Sequence, residues 1–209
     1  VFEAGISLPG EMMALHDIIQ PSIGVFTTLG TAHQENFPSI EAKCHEKIKL
    51  FHYTKAIVFS ADEEVFTKCL NEYDYKGLKL DWSVKKPEAA FYVEAIEKQA
   101  IETTITYVWE GKIEGQYKLP FIDDASVENS ITCAVVALHL GVTPAALAER
   151  MAQLEPVAMR LEVKEGQHGC TLINDSYNSD FNSLDIALDF MNRRPDHMGR
   201  RRTDQKSVV

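Results

Sequence analysis

The chain has 209 residues, 45% of them hydrophobic, and a formal net charge of −10. It is long and apolar enough to bury a core, as one large or two small domains. The acidic balance argues against a nucleic-acid partner, and no apolar run approaches the roughly 20 residues of a membrane span. The four cysteines lack metal-binding spacing, so we expect four buried thiols of a cytoplasmic protein. They are Cys44, Cys69, Cys133 and Cys170.

The first 51 residues have the pattern of a β-α-β unit. VFEAGIS and IGVFTTLG are predicted strands, and the segment between them, after Pro9 and Gly10, repeats apolar residues at helical spacing. Glu3 lies near the end of the first strand and His33 just past the second. Ligands of open α/β sheets bind beyond the carboxyl ends of strands, so these two residues are candidate metal ligands. The alternative is that Glu3 caps a backbone amide and His33 is a loop residue.

The next segment, SIEAKCHEKIKLF, predicts a helix that begins after Ser39. Ser39 is a suitable N-cap, and Glu41 falls in the first turn, where the helix dipole favours a carboxylate. Lys47 lies beside the predicted buried stripe. Its ammonium is therefore directed either into the crevice or, as for most such lysines, into solvent.

The middle of the chain predicts a strand at KAIVFSAD, a helix at EEVFTKCL, and several strands rich in β-branched and aromatic residues. Residues 112–117 alternate like the partner of a hairpin. Trp82 and Trp109 are expected in the core. We find no catalytic signal in this region.

Two later segments carry further candidates. A long helix follows the polar segment around Asn129, which we expect in its first turn, making a local hydrogen bond. RLEV and CTLIND then predict a hairpin, and NSLDIALDFM a helix. From the residues alone, Asp175 and Ser176 are expected to form a turn with an N-cap.

The stretches EAGIS-LPGEM, TTLGTAHQENF and EKIKLF resemble the central domain of the Mur ligases. The resemblance implies ATP and Mg²⁺ as cofactors. It implies that Glu3 and His33 help to hold magnesium. It also implies that Lys47 is carbamylated, because a carboxylate-like group supports a second metal ion where an ammonium would repel it. His33 and Lys47 are accordingly the candidate catalytic residues.

The resemblance also assigns the nucleotide. It implies that Asn129 contacts adenine, and that Arg160 and Asp175 bind the phosphate and ribose side of ATP when a C-terminal domain closes. The SYNS-D-FNS stretch, with Tyr177, Asn178 and Ser183, is typical of the branch that adds D-alanyl-D-alanine to UDP-N-acetylmuramoyl-tripeptide. These two molecules are the implied substrates. The implied reaction is ATP-dependent amide formation through an acyl phosphate, in peptidoglycan precursor synthesis.

The expected fold class is α/β. Residues 1–157 are expected to form a Mur ligase central domain, a parallel-sheet, P-loop NTPase-like fold with an appended antiparallel region. Residues 158–209 are expected to begin a Rossmann-like C-terminal domain. The phosphate-loop pattern GxxxxGK followed by Ser or Thr does not occur in the sequence. We therefore expect an internal fragment of a ligase, with negligible ligation by the isolated chain.

Two other interpretations remain open. One is another ligase of this superfamily, which adds a different amino acid or adds glutamates to folate. The LPGEM and SYNS stretches favour the D-alanyl-D-alanine branch over it. The other is a non-catalytic α/β module that binds a nucleotide or a partner, an interpretation favoured by the missing phosphate loop.

Overall fold

The structure is a computed structural model that describes residues 1–30, 33–155, 162–167, 170–176 and 181–193. Within these ranges the helices are α1 (Glu11–Ile19), α2 (Ile40–Ile48), α3 (Glu64–Glu72), α4 (Asp124–His139), α5 (Pro144–Met151) and α6 (Phe181–Arg193). The strands are β1 (Ile23–Val25), β2 (Ala56–Ser60), β3 (Leu78–Ser83), β4 (Phe91–Lys98), β5 (Thr103–Trp109), β6 (Ile113–Leu119), β7 (Glu162–Glu165) and β8 (Thr171–Asn174). None of the helices described combines the length and apolarity of a membrane span.

A six-stranded sheet organises the fold, with its strands in chain order from β1 to β6. Neighbours from β1 to β4 are parallel, and β4, β5 and β6 are antiparallel. β4 begins beside the end of β3, where Phe91 lies opposite Trp82, and runs on beyond it. A short connection therefore suffices between these parallel strands. The predicted α/β class, a mostly parallel sheet with an appended antiparallel region, is confirmed.

Strand β2 lies at the centre of two hydrophobic cores because alternate side chains of a strand point to opposite faces. All five of its residues are buried. Ile57 and Phe59 belong to the core formed with α1, α2 and α3, whereas Ala56 and Val58 belong to the core formed with α4 and α5. A sheet covered on both faces explains the continuous apolar run AIVFS.

The prediction of a strand at VFEAGIS is wrong. Residues 1–6 pair with no strand among those described, and Phe2 is 76% exposed. An extended segment becomes a strand only through ladder hydrogen bonds, which depend on a partner rather than on local composition. Of the second predicted strand, IGVFTTLG, only the three residues of β1 form a strand. Gly24 in β1 lies so close to the ring of Phe51 that any larger residue at position 24 would clash with it.

The core predictions are mostly confirmed. Trp82 and Trp109 are 4% and 5% exposed. The expectation of four buried thiols is wrong for Cys133 and Cys170, which are exposed, whereas Cys44 and Cys69 are buried. An apolar neighbourhood in sequence does not decide which side of a helix or strand faces the core.

The C-terminal part forms a separate small sheet. β7 and β8 pair antiparallel, with Glu162 opposite Asn174 and Glu165 opposite Thr171. This pairing confirms the predicted hairpin, and α6 confirms the helix predicted at NSLDIALDFM.

Candidate functional site

A cleft of about 260 Å³ lies where three parts of the N-terminal region meet. Residues 5–7 form one wall, the segment after β1 contributes Gly30 and His33, and helix α2 contributes Lys43 and Lys47. The structure therefore brings together two of the predicted site residues, His33 and Lys47.

The wall formed by residues 5–7 is held by side chains from its neighbours. The carboxylate of Glu11 accepts hydrogen bonds from the backbone N–H groups of Ser7 at 2.7 Å and Leu8 at 2.9 Å. These backbone hydrogen bonds lower the pKa of Glu11. The amide of Asn36 donates to the carbonyl oxygen of Ser7 at 3.0 Å. This wall of the cleft is thus fixed to both α1 and the segment after His33.

The backbone of His33 adopts the left-handed region, with φ 58°. Histidine is among the non-glycine residues that most often adopt it. His33 precedes a single 3₁₀ turn at Gln34–Asn36, and its carbonyl oxygen accepts from the N–H of Asn36 at 3.2 Å. His33 itself lies in the lining of the cleft.

Lys43 and Lys47 lie one helical turn apart on α2, and their side chains share one face. Lys43 is only 2% exposed, and its ammonium donates to the carbonyl oxygen of Gly30 at 2.6 Å. Burial lowers the pKa of Lys43, and the carboxylate of Glu35 opposes that shift. Burial also lowers the pKa of Lys47, and the positive charge of Lys43 lowers it further. Both effects make the neutral amine of Lys47 easier to form than that of an exposed lysine.

Glu46 joins α2 to the N-terminus of α1. One carboxylate oxygen accepts from the N–H of Gly10 at 2.8 Å and of Met12 at 3.3 Å, and the other accepts from the ammonium of Lys49 at 2.6 Å. Burial raises the pKa of Glu46, but the bonds from Lys49 and the two backbone amides outweigh it, so the pKa is lowered overall. The carboxylate caps α1 across the fold and sets the spacing of the two helices.

The chemistry of the cleft depends on the state of Lys47. With both lysines as ammonium groups, the cleft favours an anion such as phosphate and opposes a divalent cation. With Lys47 as a carbamate, the cleft offers carbamate oxygens and the imidazole of His33 as metal ligands. Glu3 does not line the cleft, but it precedes the lining residue Gly5 by two positions in the chain. That donor set fits Mg²⁺, which prefers oxygen ligands and few protein groups.

The remaining candidates lie away from the described lining of the cleft. Glu3 is exposed and precedes the lining segment. Asn129 is also exposed, and its predicted place in the first turn is wrong: α4 begins at Asp124, because Asp123 caps it by accepting from the N–H of Ser126 at 2.8 Å. The roles assigned to Glu3 and Asn129 stay predictions.

Asp175 directly follows β8 and is half-buried. Arg160, Tyr177 and Asn178 lie outside the described residues, and of Ser183 only the position in α6 is described. The nucleotide-binding roles of Arg160 and Asp175 stay predictions.

Sequence reasoning missed two residues that build this site, Lys43 and Glu46. The four-residue spacing of Lys43 and Lys47 indicates a shared helix face, a signal present in the sequence. Nothing local indicates that Glu46 reaches Gly10, which lies 36 residues away in the chain.

Comparison with known proteins assigns the family. Residues 1–137 match the Mur ligase middle domain. The chain belongs to the Mur ligase family. A UDP-N-acetylmuramoyl-tripeptide--D-alanyl-D-alanine ligase of Bacillus subtilis (strain 168) is 23% identical over 194 residues, which are 90% of this chain and 40% of that protein. The chain thus spans about two fifths of that relative's length.

Two solved structures share the fold. MurF from Acinetobacter baumannii matches with a TM-score of 0.79 and 18% identity, over 93% of this chain and 42% of that one. MurF ligase from Thermotoga maritima, solved in complex with ADP, matches with a TM-score of 0.73 and 21% identity, over 90% and 43% of the two chains. These similarities confirm the Mur ligase fold of the chain.

Proposed function

We propose that this Mur ligase chain is the central part of an enzyme that joins D-alanyl-D-alanine to UDP-N-acetylmuramoyl-tripeptide, a cytoplasmic step of peptidoglycan precursor synthesis. The observation that carries the proposal is the convergence of His33 and Lys47 on one cleft, in a chain whose residues 1–137 match the family's middle domain. The name of the Bacillus subtilis relative supports these two substrates.

The proposed reaction has two steps. The terminal carboxylate of the tripeptide attacks the γ-phosphate of ATP, so that an acyl phosphate forms and ADP leaves. The amine of D-alanyl-D-alanine then attacks the acyl carbonyl, the amide forms, and inorganic phosphate leaves. Transfer of a phosphoryl group needs positive charge around its oxygens, and Lys43 supplies such charge in the wall of the cleft.

Lys47 is proposed to act as a carbamate. Its neutral amine adds to carbon dioxide, a C–N bond forms, and one proton is released to water. Glu3, His33 and the carbamate of Lys47 would hold Mg²⁺, which supplies charge neutralisation for the phosphates of ATP. Lys43 donates to the carbonyl oxygen of Gly30 and thereby fixes the segment that carries His33.

The nucleotide is proposed to extend from the cleft toward α4 and the C-terminal part. Asn129 would contact adenine, since one amide both donates and accepts a hydrogen bond. Arg160 and Asp175 would bind the phosphate and ribose side when residues 158–209 close over residues 1–157. Closure matters because an acyl phosphate is hydrolysed when water reaches it.

The test uses the natural product of the gene that encodes these residues. It is incubated with ATP, Mg²⁺ and UDP-N-acetylmuramoyl-tripeptide, and ADP formation is measured with and without D-alanyl-D-alanine. We expect ADP formation that depends on the dipeptide, and loss of at least about a hundredfold in rate for His33→Ala or Lys47→Met. Lys112→Met, at an exposed turn, is the matched control.

Other outcomes separate the alternatives. ADP formation with a single amino acid or with glutamate, but not with the dipeptide, would assign the chain to another branch of the family. Nucleotide binding without turnover in any combination would support a binding module. Equal activity of the His33→Ala variant and the control would refute the proposed site.

A further inference from the structure

A second cluster of chemically active side chains lies where α2 packs against α3. A ring nitrogen of His45, the sulfur of Cys69 and a carboxylate oxygen of Glu72 all lie within 4.8 Å of one another. The Nε2 of His45 and the Oε2 of Glu72 are 3.1 Å apart. Cys69 and Glu72 are one turn apart on α3 and share a face, which His45 meets from α2.

These distances suit a small tetrahedral metal ion. Bonds of about 2.0–2.3 Å from zinc to nitrogen, oxygen and sulfur place neighbouring ligand atoms roughly 3.3–3.8 Å apart. The separation between His45 and Glu72 is 3.1 Å, and the sulfur of Cys69 lies no more than 4.8 Å from the ligand atom of either residue, so small shifts of the side chains reach that range. One imidazole, one thiolate and one carboxylate form a donor set typical of zinc, whereas Mg²⁺ does not take sulfur ligands.

We propose that His45, Cys69 and Glu72 form a binding site for a thiophilic divalent cation, zinc foremost, with water in the fourth position. The side chains of His45 and Glu72 are 37% and 50% exposed, so the ion enters from solvent. Cys69 is fully buried beneath them and provides the inner ligand. The site is separate from the cleft that contains His33 and Lys47, because no residue of the cluster lines that cleft.

Without a cation, the thiol of Cys69 is the favoured form, because burial and the carboxylates of Glu72 and Glu41 raise its pKa. In the structure this thiol donates to the carbonyl oxygen of Glu41 at 4.0 Å. A cation replaces the thiol proton, which passes to water as the sulfur–metal bond forms. We expect the neighbouring thiol of Cys44 to donate to that thiolate, the kind of outer contact that orients a metal ligand.

Binding at this place joins two helices. α2 carries His45 as well as Lys43 and Lys47, and α3 carries the other two ligands. An ion that binds the folded chain more tightly than the unfolded chain stabilises it, so zinc is expected to raise the melting temperature.

The test is titration of the purified 209-residue chain with Co²⁺, a spectroscopic substitute for zinc, in excess Mg²⁺. We expect a sulfur-to-cobalt charge-transfer absorption that zinc abolishes by competition. Cys69→Ser should remove the absorption. His45→Ala and Glu72→Gln, both at partly exposed positions, should each weaken Co²⁺ binding by more than about tenfold, since even an outer partner of a metal ligand contributes that much. Cys133→Ser, at an exposed cysteine on α4, is the matched control.

Circular dichroism of each variant establishes that it is folded. Absence of the charge-transfer absorption from the unsubstituted chain would overturn the proposal. So would an absorption that persists unchanged in both His45→Ala and Glu72→Gln, or one that disappears in Cys133→Ser. Zinc should raise the melting temperature of the unsubstituted chain and of Cys133→Ser, but not that of His45→Ala.

Discussion

The ammonium of Lys43 donates a hydrogen bond of 2.6 Å to the backbone carbonyl oxygen of Gly30. This bond ties helix α2 to the segment that follows β1 and leads to His33. The lysine is 2% exposed, so the bond is largely shielded from water. A buried cation thus binds the backbone at Gly30, three positions before the candidate ligand His33.

Replacing Lys43 by Met should loosen the segment around His33. A hydrogen bond to a charged group contributes about 1.5–3 kcal/mol, so local opening should become roughly ten- to hundredfold more frequent. Hydrogen–deuterium exchange at the amides of Asn36 and Phe37, which donate within the 3₁₀ turn, measures it. Lys68→Met, at an exposed position of α3, is the control. Equal exchange rates in the two variants would contradict the positioning role of Lys43.

Glu46→Gln should destabilise the fold by about 1–3 kcal/mol, because the carboxylate accepts from Gly10, Met12 and Lys49 while only 5% exposed. A glutamine keeps one acceptor oxygen but loses the charge, and Glu46→Ala should therefore cost more than Glu46→Gln. Urea unfolding measures both losses.

The matched control for this pair is Glu88→Gln, at an exposed position. It should stay within about 0.5 kcal/mol of the unsubstituted chain. A loss for Glu46→Gln no larger than for Glu88→Gln would show that the capping contact contributes nothing measurable.

The indole N–H of Trp82 donates to the hydroxyl of Thr132 at 3.1 Å, which links β3 to α4 inside the core. Thr132→Val should cost about 1–3 kcal/mol because it leaves a buried donor without its acceptor. A double-mutant cycle with Trp82→Phe, followed by urea unfolding and far-UV circular dichroism, should give a coupling energy of about 0.5–3 kcal/mol. Additive losses in the cycle would refute the link, and Thr171→Val, at an exposed site, is the control.

Tyr117 should make the fold sensitive to alkali. Burial raises its pKa above the ordinary value of 10.0, and it is 2% exposed. Because the unfolded chain releases this proton first, the contribution of Tyr117 to stability is complete below pH 10.0 and declines as the pH rises toward the raised pKa. The free energy of unfolding should fall by up to about 1.4 kcal/mol per pH unit for this group.

Tyr117→Phe removes that titration and should flatten the alkaline decline in unfolding free energy, measured by urea unfolding across the alkaline range. Tyr53→Phe, at a residue 73% exposed, should leave the decline unchanged. An identical pH profile for Tyr117→Phe and the unsubstituted chain would show that another group governs alkaline unfolding.

Several parts of the fold could be predicted because their pattern is local. The apolar run at β2, the β-branched strand β5 and the N-cap Ser39 follow from residue type and period, and the structure contains each of them. Helical spacing also placed Lys47 beside the predicted buried stripe. It left open whether the ammonium enters the crevice or the solvent, and the structure shows Lys47 in the lining of the cleft.

Other parts could not be predicted because they depend on partners distant in the chain. VFEAGIS has the composition of a strand, but it lacks a ladder partner among the described residues. Cys133 lies in an apolar segment, yet the packing of α4 leaves it exposed.

The sequence by itself determined the α/β class, the periods of the helices and strands, the membership of the Mur ligase family, and His33 and Lys47 as candidates. The tertiary structure decided that Lys43 is buried against Gly30, that Glu46 caps α1, and that His45 lies against Cys69 and Glu72. Local propensity acts over a few residues, whereas these contacts arise only when the sheet and its helices bring distant segments together. Their distances and charges therefore follow from packing, not from composition.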